Sequence, residues 1–215
     1  MAHTIYRLAN GDRVPSVTTI LGVLNKPALI TWAWKCGMDG VDYRTVRDSS
    51  AGIGTLTHAL ITDHLLRKPT DMHEFSQDTI DVAEDLFAIY LDWERGHDIK
   101  CIEIEKPLVC EATKFGGTLD FYGTIDGKLT LMDFKTTGDI YPEQFYQLSA
   151  YRHLLISNEF EDPVDIKILR IGRDGSGIEE RSLQNLDQQF AAFIACKIIY
   201  DIQHAPKEKK KAAKK

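Results

Sequence analysis

Asp126-Gly127 stands between two runs, GGTLDFYGTI (116–125) and KLTLMDFK (128–135), and constrains the fold more than any other dipeptide in the chain. A two-residue hairpin turn of type I′ needs φ > 0 at both central positions, and Asp-Gly tolerates that. The pairing opposes Ile125 to Lys128 and, carried back along the ladder, Asp120 to Asp133. Side chains alternate along a strand, so Lys135 shares the face of Asp133. Directly opposed carboxylates have Cβ atoms roughly 4.5–5.5 Å apart and repel. A divalent cation offsets that repulsion, because hard metals take carboxylate oxygens and leave positions for water and phosphate. The alternative is a charged hairpin edge facing solvent. Leu119, Phe121, Leu129, Leu131 and Phe134 argue instead for the apolar setting of a sheet centre.

The rest of the chain supplies the elements around that hairpin. Asn10-Gly11 predicts a small turn, Ser16 caps a short helix, and Pro27 opens a second helix ended by Gly37 or Gly40. Trp32 and Trp34 on it read as packing residues. Residues 41–50 read as polar and irregular, and a helix is predicted over 51–67 with Leu56, Leu60, Ile61 and Leu65 along one side. His58 lies beside that stripe, where a structural role is the ordinary one. Ser76 caps a long amphipathic helix whose core face is Ile80, Ala83, Phe87, Tyr90 and Leu91. The period then switches to two: Ile102, Ile104 and Leu108 alternate with Glu103 and Glu105, either of which is a candidate further acid at the site. After Lys135, Pro142 opens a helix on which Gln144, Gln147 and Tyr151 share a face. A strand over 164–171 follows, and the intervening helix makes it parallel to the strand ending at Lys135. Arg170 and Arg173 stand at its end. A short strand and a last helix, with Phe190, Phe193, Ile194 and Ile198 inward, complete a mixed α/β order with helices flanking a central sheet.

Composition narrows the function classes. With 43% hydrophobic and 27% charged residues this is an ordinary globular chain, read as a single domain over 1–206. Within it, 15–97 form an N-terminal helical part and 98–204 the sheet core. No apolar run approaches the roughly 20 residues of a membrane span, and the N-terminus is too polar for a signal peptide, so no membrane association and a cytoplasmic location are expected. Cys36, Cys101, Cys110 and Cys196 form no CxxC pair, which signals neither a zinc ribbon nor a disulfide framework. Residues 207–215 hold six lysines against one glutamate and read as a disordered basic tail; the rest of a chain of net charge −6 is therefore more acidic still. The charge of the body argues against indiscriminate nucleic-acid binding, so a nucleic acid would need a local basic groove or the tail itself.

Four elements in order, His58, GGTLD ending at Asp120, DFK from Asp133 to Lys135, and QLSAY from Gln147 to Tyr151, resemble the PD-(D/E)XK nuclease superfamily. They are most similar to its RecB-like branch, which includes phage exonucleases and CRISPR-adaptation nucleases. The likeness runs from about Pro15 to about Leu155. It implies a restriction-endonuclease-like core with an N-terminal helical extension, and Mg²⁺ or Mn²⁺, one ion or two, held by His58, Asp120, Asp133 and the Phe134 carbonyl. It further implies Lys135 as the catalytic lysine, with Asp120 and Asp133 beside it. Gln147 and Tyr151, with Gln144 and Thr136, are the expected substrate contacts. The implied activity is a metal-dependent DNA exonuclease on single- or double-stranded ends, of phage type, in recombination, replication or end processing beside a partner protein. A structure-selective endonuclease and a non-catalytic nucleic-acid-binding subunit are the alternatives. The CRISPR-adaptation relatives hold an iron–sulfur cluster through a tight cysteine group after the core; only Cys196 follows it in this chain, so no cluster is expected.

Overall fold

In the computed structural model, which describes residues 4–205, a small hairpin of β1 (Tyr6–Arg7) and β2 (Arg13–Val14) precedes four helices. These are α1 (Val17–Leu21), α2 (Pro27–Met38), α3 (Tyr43–Leu65) and α4 (Gln77–Glu94). Then come β3 (Ile99–Cys110), β4 (Phe115–Ile125), β5 (Lys128–Lys135), α5 (Pro142–Ser157), β6 (Asp165–Gly172), β7 (Gly177–Ser182) and α6 (Asp187–Gln203). The five long strands form one sheet in the order β3-β4-β5-β6-β7. β5 and β6 pair in parallel and every other neighbour is antiparallel. A parallel pair requires a crossover, and α5 supplies it. This is a mixed α/β fold with a central sheet flanked by helices and an N-terminal helical extension, consistent with a restriction-endonuclease-like core. The basic tail at 207–215 lies outside the described residues.

The hairpin forms as the dipeptide demands. Asp126 has φ 51° and Gly127 φ 77°, and Ile125 faces Lys128. Both faces of the sheet are covered, which is why β4 is buried nearly throughout. On one face Leu119, Leu131, Ile166 and Ile168 pack with α1, α5 and α6. On the other, Phe121, Met132, Phe134 and Leu169 pack with Ile61 of α3 and with Leu86 and Tyr90 of α4. Of the face expected for α4, Ala83 and Tyr90 are buried, joined by Leu86. Gly117 lies where α5 crosses β4 most closely: a Cβ there would stand 2.7 Å from Tyr151 Cε1 and 3.1 Å from Val17 Cγ2. Gly117→Ala is therefore expected to destabilise the chain by about 1–3 kcal/mol through overpacking, read as a lower urea midpoint with an unchanged slope.

The structure corrects four expectations. Residues 43–50 are helical, the first turns of α3, with the Asp42 side chain accepting from the Arg44 N–H. Their exposure leaves no apolar stripe for periodicity to register. Trp32 meets Tyr43 edge-on, ring centroids 6.1 Å apart, but Trp34 is 63% exposed, because α2 buries no residue at all. On α6 the buried seam runs through Phe193 and Cys196, and Ile198 points outward. On β3 a register shift between Cys101 and Glu103 interrupts the alternation, and Ile102 is exposed. No helix among the described residues is long and apolar enough to cross a membrane.

Candidate functional site

The ladder between β4 and β5 ends at Phe121 and Met132, one step short of Asp120 and Asp133. Beyond that step the Asp120 side chain takes over the bonding: its Oδ2 accepts from the Phe134 backbone N–H at 2.9 Å. Core membership along β4 changes at the same point, with Leu119 packing in one layer and Phe121 in the other. The expected pairing of two acids on one shared face is thereby corrected. A carboxylate that accepts a strand N–H interrupts strict alternation, and the two acids are served from opposite layers. Asp120 is met by His58 of α3, and Asp133 by Gln147 of α5.

His58 lies between two carboxylates. Its Nε2 is 2.9 Å from Asp120 Oδ2 and its Nδ1 is 3.0 Å from Glu105 Oε1. A neutral imidazole carries one N–H, so donating from both nitrogens requires the imidazolium. Burial opposes that charge, but Asp120, by charge and hydrogen bond, and then Glu105 outweigh it and push the group up to about 10. Glu105 reaches this position from a left-handed backbone, φ 49°, an uncommon conformation for a residue with a side chain. Of the two glutamates left open by the sequence, Glu105 joins the site, whereas Glu103 pairs with Lys106 at 2.8 Å.

Asp133 is fully buried. Burial first, and the nearby Asp120 charge second, push its carboxyl up to about 7 against the opposing pull of Lys135. The Lys135 ammonium contacts Asp133 Oδ2 without the alignment of a directed hydrogen bond. Burial disfavours that ammonium, yet Asp133 and Asp120 together hold its pKa above the ordinary lysine range. Gln147 Nε2 donates to Asp133 Oδ1 at 3.3 Å and to Tyr151 Oη at 2.8 Å. Burial, and then the charge of Asp133, raise the Tyr151 phenol well above its usual value. The helix stripe read from the sequence thus fixes Asp133. Gln144 behaves differently: its Oε1 accepts from the Tyr141 N–H and its Nε2 donates to Thr137 Oγ1, closing the start of α5.

Among the described residues, one group of three candidate ligand atoms lies mutually within 4.8 Å: those of His58, Glu105 and Asp120. Asp133 is next to this triad rather than in it. One imidazole and two carboxylates suit a hard or borderline divalent ion, and two carboxylates converging within 3.0 Å of one ring concentrate negative charge where a cation would sit. Phe134 enters the site through its N–H, donated to Asp120. Thr136 Oγ1 accepts from Arg173 Nη2 at 2.7 Å. A groove of about 580 Å³, walled by Leu21, Pro27 and Leu29 and by Gln144, leads to Lys135 and Gln147. Lys26 and Glu143, 3.0 Å apart, tie α2 to α5 along it. Neither Glu105's selection nor Arg173's role could be read from the sequence, since a bulged strand and a reach between distant segments leave no periodic signal.

No family model matches this chain, and no curated protein matches it. It is similar to the solved structure titled "Crystal structure of SSO0001", with 14% identity and a TM-score of 0.37, over 61% of this chain and 64% of that one. The chain thus spans less than two thirds of that structure's length.

Proposed function

We propose that this protein is a metal-dependent DNA exonuclease, working on DNA ends in the cytoplasm, in recombination, replication or end processing. The observation that carries the reading is the adjacency of the His58/Glu105/Asp120 triad to the Asp133–Lys135 pair at the end of a groove. His58, Glu105 and Asp120 would hold a Mg²⁺ or Mn²⁺ ion, with Asp133 alongside. Such an ion, when bound, lowers the pKa of water and polarises a phosphodiester.

The chain's own residues do the rest. Tyr151 orients Gln147, Gln147 orients Asp133, and Asp133 holds the Lys135 ammonium. Because Lys135 is kept protonated, its part is to stabilise negative charge on the phosphate oxygens rather than to remove a proton from water. The burial of most of the Lys135 side chain limits the screening of that charge by water.

End-labelled linear DNA and covalently closed circles, incubated with Mg²⁺, Mn²⁺ or EDTA, test the proposal. Cleavage of linear DNA alone, abolished by EDTA, is the expected result. Cleaved circles would move the reading to an endonuclease, and DNA binding without turnover in either metal would move it to a binding subunit. A direct check on the ion is a thermal melt in EDTA followed by added Mn²⁺. A ligand that binds only the folded state at 100 times its Kd stabilises by about 2.7 kcal/mol, so a rise in Tm is expected for the wild type and none for Glu105→Gln.

A further inference from the structure

Arg173 follows the end of β6 and reaches back to α3. Its Nη2 donates to the Ser50 carbonyl oxygen at 2.8 Å and to Thr136 Oγ1 at 2.7 Å. The rest of the guanidinium forms no hydrogen bond among the described residues, and Nε is buried without an acceptor. No carboxylate of the described residues lies within ion-pair distance of it. Other arginines lacking such a partner, Arg7, Arg13, Arg44 and Arg67, are exposed, where water satisfies them. Arg170, on β6 three residues before Arg173 and buried like its neighbours, shows what a structural arginine looks like in this fold: it has Glu179 at 3.0 Å, the Thr137 carbonyl and Ser176 Oγ. Half-buried donors left unmatched cost free energy and call for an explanation.

The surroundings supply one. Gly54 of α3 is what lets the guanidinium approach, since a Cβ there would lie 3.2 Å from Arg173 Nη2 and 3.1 Å from Thr136 Oγ1. Beside them opens a cavity of about 190 Å³ with Ile61 and Phe134 on its apolar side and Thr57, His58, Lys135, Thr136 and Thr137 on its polar one. That is smaller than the roughly 300–1,000 Å³ that whole drug-sized ligands occupy, so it suits a single group. Its polar side carries hydroxyls and the Lys135 ammonium, and the adjoining guanidinium, with Nη2 engaged and Nε buried, has Nη1 left to donate to an oxyanion oxygen.

We propose that Arg173, fixed by Thr136 and Ser50 beside this cavity, forms an anion subsite that holds a phosphate group of the nucleic-acid strand next to the one being cleaved. The assignment rests on the phosphodiesterase reading above. The phosphate is either an internal backbone phosphate or a terminal one.

The test begins with the whole wild-type chain titrated with inorganic phosphate while the arginine Nε–H resonances are followed by NMR, Arg173→Lys identifying the Arg173 signal. A saturable shift of that signal is expected. In cleavage assays Arg173→Ala is expected to raise KM by about tenfold or more with a smaller effect on kcat. Arg173→Lys, which retains the charge and guards against a merely unfolded variant, should recover part of the loss. Linear DNA with a 5′-phosphate, a 3′-phosphate or only hydroxyl ends separates the two sources. An effect confined to one end assigns the terminal phosphate there, and an equal effect on all assigns an internal one. Either an unmoved Arg173 signal or an unchanged KM in folded Arg173→Ala would overturn the subsite. If the wild type cleaves no DNA with Mg²⁺ or Mn²⁺, the phosphodiesterase reading falls, and the phosphate titration still decides whether Arg173 binds an anion.

Discussion

Lys135→Ala is expected to lower the rate of phosphodiester cleavage by about 10²–10³-fold, the scale set by removing one preorganised donor from a developing oxyanion. Lys135 contacts Asp133 from the last position of β5 and lines both the groove and the smaller cavity. Its removal takes away the cation without touching the sheet core. Lys135→Arg should recover little, because a planar fork does not replace a point charge held at one spot. The variant should remain folded, since Asp133 can take up a proton in place of its lost partner. That escape has a pH signature in metal-free protein. Burial already raises Asp133 from 3.8 to about 7, and losing Lys135 moves it further up. A raised carboxyl contributes stability that is fully present below its unfolded value and lost as pH rises through its folded one. Urea midpoints of Lys135→Ala in EDTA should therefore fall from about pH 4 and go on falling to a higher pH than those of the wild type, which level off above about pH 7. A fall that levels off at the same pH in both proteins would show that Lys135 does not contact Asp133 in solution, and retained cleavage would remove it from the chemistry.

What the sequence made legible followed from local rules with a fixed period. Asp126-Gly127 specified the turn and the register up to Phe121 and Met132, because a two-residue loop leaves no freedom in the pairing. The spacing of Gln147 and Tyr151 placed both on the site side of α5, and they bond to one another there. The period failed where the chain stops being periodic. At Asp120 a side chain replaces a ladder bond, and at Glu105 the backbone turns left-handed. Counting residues could not foresee that the acids would be divided between two helical layers. Such breaks in regularity concentrate at sites because their strain is tolerated where the surroundings over-determine it. Arg173 stands at a strand end in the sequence, but its reach to Ser50 links segments far apart in the chain, which no local pattern encodes.

Asp120→Ala is expected to abolish cleavage and, unlike Lys135→Ala, to damage the fold. Asp120 is the acceptor for both the Phe134 N–H and His58 Nε2. Without it a half-buried imidazolium and a buried N–H lose their partner at once, and breaking a fully buried pair from one side costs about 3–5 kcal/mol, which sets the upper bound. Asp120→Asn separates the two roles. An amide oxygen keeps an acceptor for the Phe134 N–H in the same volume, so most of the stability should return, while the missing negative charge leaves the triad unable to hold a divalent ion and cleavage stays absent. The pH dependence tests the same pair from the other side. His58 is raised from 6.5 to about 10, so its stabilisation is complete below pH 6.5 and is lost as pH rises toward 10. Asp120 is lowered from 3.8, so its share is present above that value and is lost as pH falls below it. The stability gap between wild type and Asp120→Asn in EDTA should thus be widest between about pH 4 and 6.5 and should close toward pH 10. A gap that stays constant across that range would show that His58 and Asp120 are not an ion pair in the folded chain. It would also remove the electrostatic reason for placing a cation between Asp120 and Glu105.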